Sequence, residues 1–155
     1  MATQRVEITA GGNADWSTPV RVDESMLQGS YQGIFMARFA FADGRAHYLK
    51  MRIVGVDEMD NDGEVPSGFG ALEFQDADGD VLRGRTDWYR SDGADRGTWS
   101  FASGTGKWKG TNGKLEMLLT YLADDLTMKL PPRGPVRFIG FIEGAGDIDV
   151  PGLSQ

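Results

Sequence analysis

The chain has 155 residues, enough for one domain with a sizeable core and too few for a second of ordinary size. Its 16 Lys and Arg against 23 Asp and Glu leave a formal charge of -7, which disfavours a general attraction to nucleic acid or to anionic lipid, so neither is expected as a partner. There is no cysteine, which removes disulfides, thiolate nucleophiles and the usual structural zinc sites, and the single histidine, His47, rules out multi-histidine metal centres.

The first residues, MATQRVEITAGGNADW, hold no apolar stretch of the signal-peptide kind, and no run approaches the ~18 apolar residues of a membrane span. A cytoplasmic protein is the expectation, with secretion left open for a chain already trimmed of its signal. Alternating apolar and polar residues predict strands near 5-9, 30-42, 45-56, 68-75, 81-90, 96-102, 114-121 and 136-143. Helix signals are confined to 122-130, LADDLTMKL, before a Pro-Pro stop, and a turn at 23-28. Residues 1-29 and 144-155 otherwise read as irregular segments at the two ends of a single domain spanning 1-155.

Punctuation between the strands is regular. Five of the 22 glycines follow Asp or Asn, at Asp43-Gly44, Asp62-Gly63, Asp78-Gly79, Asp92-Gly93 and Asn112-Gly113, and such dipeptides signal tight hairpins. About eight strands joined in this way predict an all-β fold, a single eight-stranded antiparallel barrel, the size that encloses either a packed core or one small ligand.

Two-residue turns at Asp78-Gly79 and Asp92-Gly93 set Gln75 opposite Leu82, Glu73 opposite Gly84, Trp88 opposite Gly97 and Thr86 opposite Trp99. On that register Phe69, Ala71, Leu82, Thr86, Trp88, Trp99 and Phe101 face inward, and Arg83, Arg85, Asp87, Tyr89, Arg96, Thr98 and Ser100 face water. Glu73 then stands among the aromatics, where a carboxylate must find a partner or raise its pKa. Around Asp43-Gly44 both faces are largely apolar. Taking the aliphatic one as interior puts Ile34, Met36, Arg38, His47, Leu49 and Met51 inside, with Arg38 and His47 beside Glu73. The other face must then be covered by the chain ends or by a second subunit, which predicts a dimer or trimer.

Several motifs resolve to plain structure. GTGKWKGTNG, residues 104-113, has no Walker A spacing and no following helix, so it reads as a turn with Lys107 and Lys109 in water. DADGDVLRGRTD, residues 76-87, has Asp76, Asp78 and Asp80 at calcium-loop positions one, three and five, yet it lacks the glycine at six and the closing Glu and joins strands, so an acidic hairpin is expected. DEMDNDGE, residues 57-64, reads as a solvated acidic loop. No metal site and no cofactor are expected. No serine stands in a Gly-x-Ser-x-Gly elbow.

The stretch TWSFASGTGKWKGTNGKLEM resembles a glycine-rich turn found late in barrels of the allene oxide cyclase and dirigent families and their bacterial relatives. Phe101, Gly104, Thr105, Gly106, Trp108, Gly110 and Gly113 fall on its pattern, with Ser103 where the family has glycine and Trp108 where it usually has Phe. The match covers about a dozen residues. It implies a barrel of the allene oxide cyclase-like or calycin-like kind, often trimeric, able to hold an apolar small molecule, with the aromatic closing one end. The sequence therefore points to a barrel that binds a small apolar organic molecule and isomerises or cyclises it without a cofactor. Glu73 would move the proton, Arg38 or His47 would orient it, and Phe69, Thr86, Trp88, Trp99, Phe101, Met36 and Met51 would line the ligand. The alternative is a non-catalytic binding or structural barrel in which Glu73 neutralises Arg38.

Overall fold

In the computed structural model, which describes residues 3-127, 129 and 131-153, nine strands run in chain order: β1 Gln4–Trp16, β2 Val20–Arg21, β3 Met26–Phe41, β4 Ala46–Asp60, β5 Ser67–Gln75, β6 Val81–Ser91, β7 Ala94–Gly104, β8 Asn112–Ala123 and β9 Val136–Asp149. From β3 to β9 each strand pairs antiparallel with the next, β1 pairs with both β9 and β3, and the sheet closes into an eight-stranded barrel with the short β2 added on β3. Closure leaves the eight barrel strands without a free edge. The stretches expected to be irregular largely join the wall: β1 continues through Gly11 and Gly12 to Trp16, and β9 runs to Asp149. Of the short helix expected at 122-130, Leu122 and Ala123 extend β8 and residues 124-127 form a bend and turn, while Met128 and Leu130 lie outside the described residues.

The hairpin turns decide which face of each strand is wet. Asp92-Gly93 is a two-residue turn, with φ of 53° at Asp92 and 72° at Gly93, and the register that follows pairs Trp88 with Gly97 and Thr86 with Trp99, as the sequence predicts. The loops at Asp43-Gly44, Asp62-Gly63 and Asp78-Gly79 hold one residue more. In each, the residue two before Asp donates its N–H to the carbonyl of the residue after Gly, as Phe41 does to Arg45 at 2.8 Å and Asp76 to Asp80 at 3.0 Å. Only the glycine is left-handed, at φ 92°, 82° and 87°. One extra loop residue slips the pairing by one and turns one strand of each hairpin over.

This slip overturns two face assignments. Glu73 pairs with Arg83 and Phe69 with Asp87, so Phe69, Ala71 and Glu73 point outward while Leu72 and Phe74 are buried. On β3, Phe35, Ala37, Phe39 and Phe41 fill the interior opposite Leu49, Met51 and Ile53 of β4, and Ile34, Met36 and Arg38 face out. The aromatic face wins because the closed barrel needs large side chains to fill it.

One end of the barrel is plugged. Residues Gly106–Trp108 form a 3-10 turn that sends Trp108 inward, fully buried against Phe39 and His47 at ring separations of 5.8 and 5.4 Å. A second 3-10 turn, Pro151–Leu153, packs over the first and buries Val150 and Leu153. Lys109 is exposed, but Lys107 is not in open water. Its ammonium lies 2.9 Å from Asp76, also touches Asp78, and is 3.9 Å from Asp80, while its backbone N–H donates to Asp80 at 3.2 Å. The three aspartates in calcium-loop spacing thus converge on a cation that the chain itself supplies. Burial works against the ionisation of Asp76, yet Lys107, the Trp108 indole N–H and two backbone N–H groups outweigh it and hold its pKa below the usual carboxylate range.

Candidate functional site

The opposite end, the mouth, stays partly open. Trp16 of β1, Tyr31 of β3, Asp57 of β4, Trp88 of β6, Tyr121 of β8 and Phe138 of β9 are among the residues that line a cavity of about 50 Å³ there. Trp16, Tyr121 and Phe138 meet as an aromatic cluster with centroid separations of 5.3 to 6.1 Å. The cavity has room for a compact group and for no bulky ring system.

Glycines on the neighbouring strands make this constellation fit. A Cβ on Gly68 would stand 2.1 Å from the Asp57 carboxylate, and one on Gly55 or Gly70 would stand 2.4 or 2.5 Å from the Tyr31 hydroxyl. A Cβ on Gly97 would enter the Trp88 ring at 2.3 Å. Across the register these positions alternate large and small: Tyr31 faces Gly55, Asp57 faces Gly68, and Trp88 faces Gly97. Bulk therefore points into the lumen without overfilling it.

Asp57 is the chemical centre of the mouth. It is only 8 % exposed, its Oδ2 accepts the Trp16 indole N–H at 2.8 Å, and it is the one buried carboxylate among the described residues. Burial pushes its pKa up to about 7; the Trp16 hydrogen bond opposes the shift, and the nearby Asp95 adds to it. Asp95 lines the same cavity, and burial raises its pKa too, though Arg90 at 3.3 Å restrains the rise. The Tyr31 hydroxyl donates to the Phe69 carbonyl at 3.3 Å and its pKa is raised by burial, while Tyr121 is pushed up to about 12 for the same reason. Both phenols stay protonated at neutral pH. The mouth thus combines an apolar wall, one carboxyl able to exist in either state near neutral pH, and neutral hydroxyls.

The residues singled out from the sequence do not assemble into one site. Glu73 sits on the outer surface, its side chain 47 % exposed and paired with Arg83 at 3.0 Å, and Arg38 is also outside. His47 faces inward, but at the plugged end: it stacks edge-on against Phe41 and Trp108, and burial, helped by Lys107 and Arg45, lowers its pKa. Asp57 lies ten residues further along β4, roughly 33 Å of extended strand away. Of the expected lining residues, Trp88 borders the cavity. Thr86, Trp99, Phe101 and Met51 are buried but stand outside its lining, and Met36 and Phe69 face out at 60 % and 50 % exposure.

The residues that do line the mouth had a readable signal. Leu49, Met51, Ile53, Gly55, Asp57 and Met59 alternate without a break, so a strand prolonged past 56 carries Asp57 to the inner face. The series Val6, Ile8, Ala10, Gly12, Ala14, Trp16 does the same for Trp16. Comparison of the chain with protein-family models, with curated proteins and with solved structures returns no match.

Proposed function

We propose that this barrel binds a small, largely apolar organic molecule at its mouth. The observation that carries the reading is the contrast between the two ends: one is sealed by Trp108 and the C-terminal turn, and the other keeps an aromatic-walled cavity around a buried carboxyl. The four tryptophans supply a built-in test, since Trp16 and Trp88 border the cavity while Trp99 and Trp108 lie in the packed interior. In an NMR titration with millimolar tert-butyl alcohol or cyclopentanone, the indole N–H signals of Trp16 and Trp88 should shift saturably and those of Trp99 and Trp108 should stay put. Shifts absent from all four, or largest at Trp108, would remove the proposal.

A second reading, that the barrel also moves a proton on its ligand, is favoured by one observation: the Asp57 carboxyl, with a pKa near 7, opens onto an apolar wall. The ionised form would take an α-proton from a bound ketone, giving the enolate, and return a proton to the same carbon. In heavy water this exchanges the α-hydrogens of cyclopentanone for deuterium. Asp57→Asn should bind the ketone as the unaltered protein does and lose the exchange; equal exchange rates would leave a binding barrel without chemistry. The glycine-rich turn at 101-113, which resembles that of the allene oxide cyclase-like barrels, supports the barrel fold and assigns no catalytic residue.

Self-association belongs to the same proposal. Ile34, Met36, Leu122, Ile139 and Phe141 are 44 % to 64 % exposed and form a band across β3, β1, β9 and β8. Arg38, Lys50 and Arg52 flank it on one side, and Glu116 and Glu143 on the other, so two-fold pairing of two copies would bring basic flank onto acidic flank.

A further inference from the structure

Resting on the binding site proposed above, we infer that the mouth of the barrel is built for a compact organic cation, an alkylammonium group whose charge meets Asp57 and whose methyl or methylene groups meet the aromatic wall. Three features of the cavity carry this. Among the described residues its lining contains no Lys, Arg or His, and its ionisable members besides tyrosines are the two carboxyls Asp57 and Asp95. Trp16, Tyr31, Trp88, Tyr121 and Phe138 line the same cavity as those carboxyls, and a cation is attracted to an aromatic ring face at close range. Among the described residues the Asp57 carboxylate has a single hydrogen-bond donor, the Trp16 indole, so an ionised Asp57 retains accepting capacity that a buried ammonium would use.

The surrounding charges agree with that sign. Asp95 faces the cavity from β7, and Arg90 behind it is shared with Glu64 at 2.9 Å, so the cluster of Asp95, Glu64 and Arg90 leaves one negative charge beside the negative Asp57. Tyr31 from β3, Trp16 from β1 and Tyr121 from β8 complete the groups around Asp57, and none of them is cationic. An anionic ligand would meet two carboxyls without a compensating cation. A neutral alcohol would find the wall and a single hydrogen bond.

Three probes share one tert-butyl group and differ only in their head: tert-butylammonium, tert-butyl alcohol and pivalate. Each is titrated into the full chain while the Trp16 and Trp88 indole N–H signals are followed. At pH 8 the ammonium should bind at least tenfold more tightly than the alcohol, and pivalate should bind weakest. Between pH 8 and pH 6 the affinity for tert-butylammonium should fall roughly tenfold as Asp57 takes up a proton, because apparent affinity scales with the competent fraction. Asp57→Asn, which keeps an oxygen for the Trp16 N–H, should bring ammonium and alcohol within about twofold of each other; Asp95→Asn should narrow the gap less. An alcohol that shifts these indoles as strongly as the ammonium does would overturn the cation assignment and leave the binding site standing. Ammonium binding that survives Asp57→Asn unchanged would overturn it as well, since the acidic surface would then be the cause. No probe reaching either indole would remove the site and the inference together.

Discussion

Moving the Asp57 carboxyl from water into the mouth raises its pKa from the ordinary 3.8 to about 7, so folding takes up a proton anywhere between those values. The folded pKa is raised, hence the native state binds the extra proton and stability falls as pH climbs from about 4 to about 7. Asp57→Asn removes this term. The variant should gain on the unaltered protein as pH rises, the gap widening by roughly 2–3 kcal/mol between pH 5 and pH 8 in urea denaturation. A gap independent of pH would mean that Asp57 is solvated in the native state. The same residue marks what a sequence conceals: Asp57 opens DEMDNDGE, whose composition reads as a wet loop, and only the alternation continuing from Leu49 carries it inward. Glu73 errs in the opposite direction, an apparent interior carboxylate that a single added loop residue turns out to water beside Arg83.

At the scale of elements, the strands were legible and their registers were not. Eight hydrophobic alternations and the Asp-Gly dipeptides locate the hairpins, but the dipeptide does not reveal whether it fills a two-residue turn or ends a three-residue loop. That difference of one residue inverts a whole strand. The Asp at the first position of two longer loops is the missing cue. Asp60 accepts the N–H of Asp62 and Glu64 through its side chain, and Asp76 that of Asp78 and Asp80, stabilising the extra residue. Ser91 begins the shorter turn, where no such bond forms among the described residues. The paired glycines of β4 and β5 are a second element-scale device. Gly55→Ala would press its Cβ against the Phe69 carbonyl at 2.1 Å and the Tyr31 hydroxyl at 2.4 Å, the first being backbone that cannot swing aside. The expected cost is about 1–3 kcal/mol in chemical denaturation, together with weakened ligand shifts at Trp16 as Tyr31 is displaced. Gly44→Ala makes a useful contrast: it meets nothing within 4 Å and costs only its left-handed backbone at φ 92°.

The molecule as a whole resolves an apparent contradiction in β3 and β4. Both faces of that hairpin are apolar, and with the aromatic face committed to the lumen the aliphatic one is left outside. Among the described residues, neither β2 nor the C-terminal turn covers it. β2 pairs at Gln28 and Leu27, far from Met36, and the C-terminal turn lies over Trp108 at the plugged end. A band holding Ile34, Met36, Ile139 and Phe141 at 44 % to 63 % exposure is unusual for a monomer carrying a formal charge of -7. A second copy turned by a two-fold axis would bury this band and bring Arg38, Lys50 and Arg52 of one copy towards Glu116 and Glu143 of the other. Light scattering after gel filtration at micromolar concentration should therefore give a mass near twice 16.9 kDa. Phe141→Lys should return it to a single chain without altering the Trp16 and Trp88 signals, because its side chain points away from the lumen. Raised salt should weaken association only modestly, since the apolar band supplies most of the buried area and the flanking charges chiefly set orientation. A monomeric mass for the unaltered protein, or an oligomer indifferent to Phe141→Lys, would assign that band to something other than a second copy.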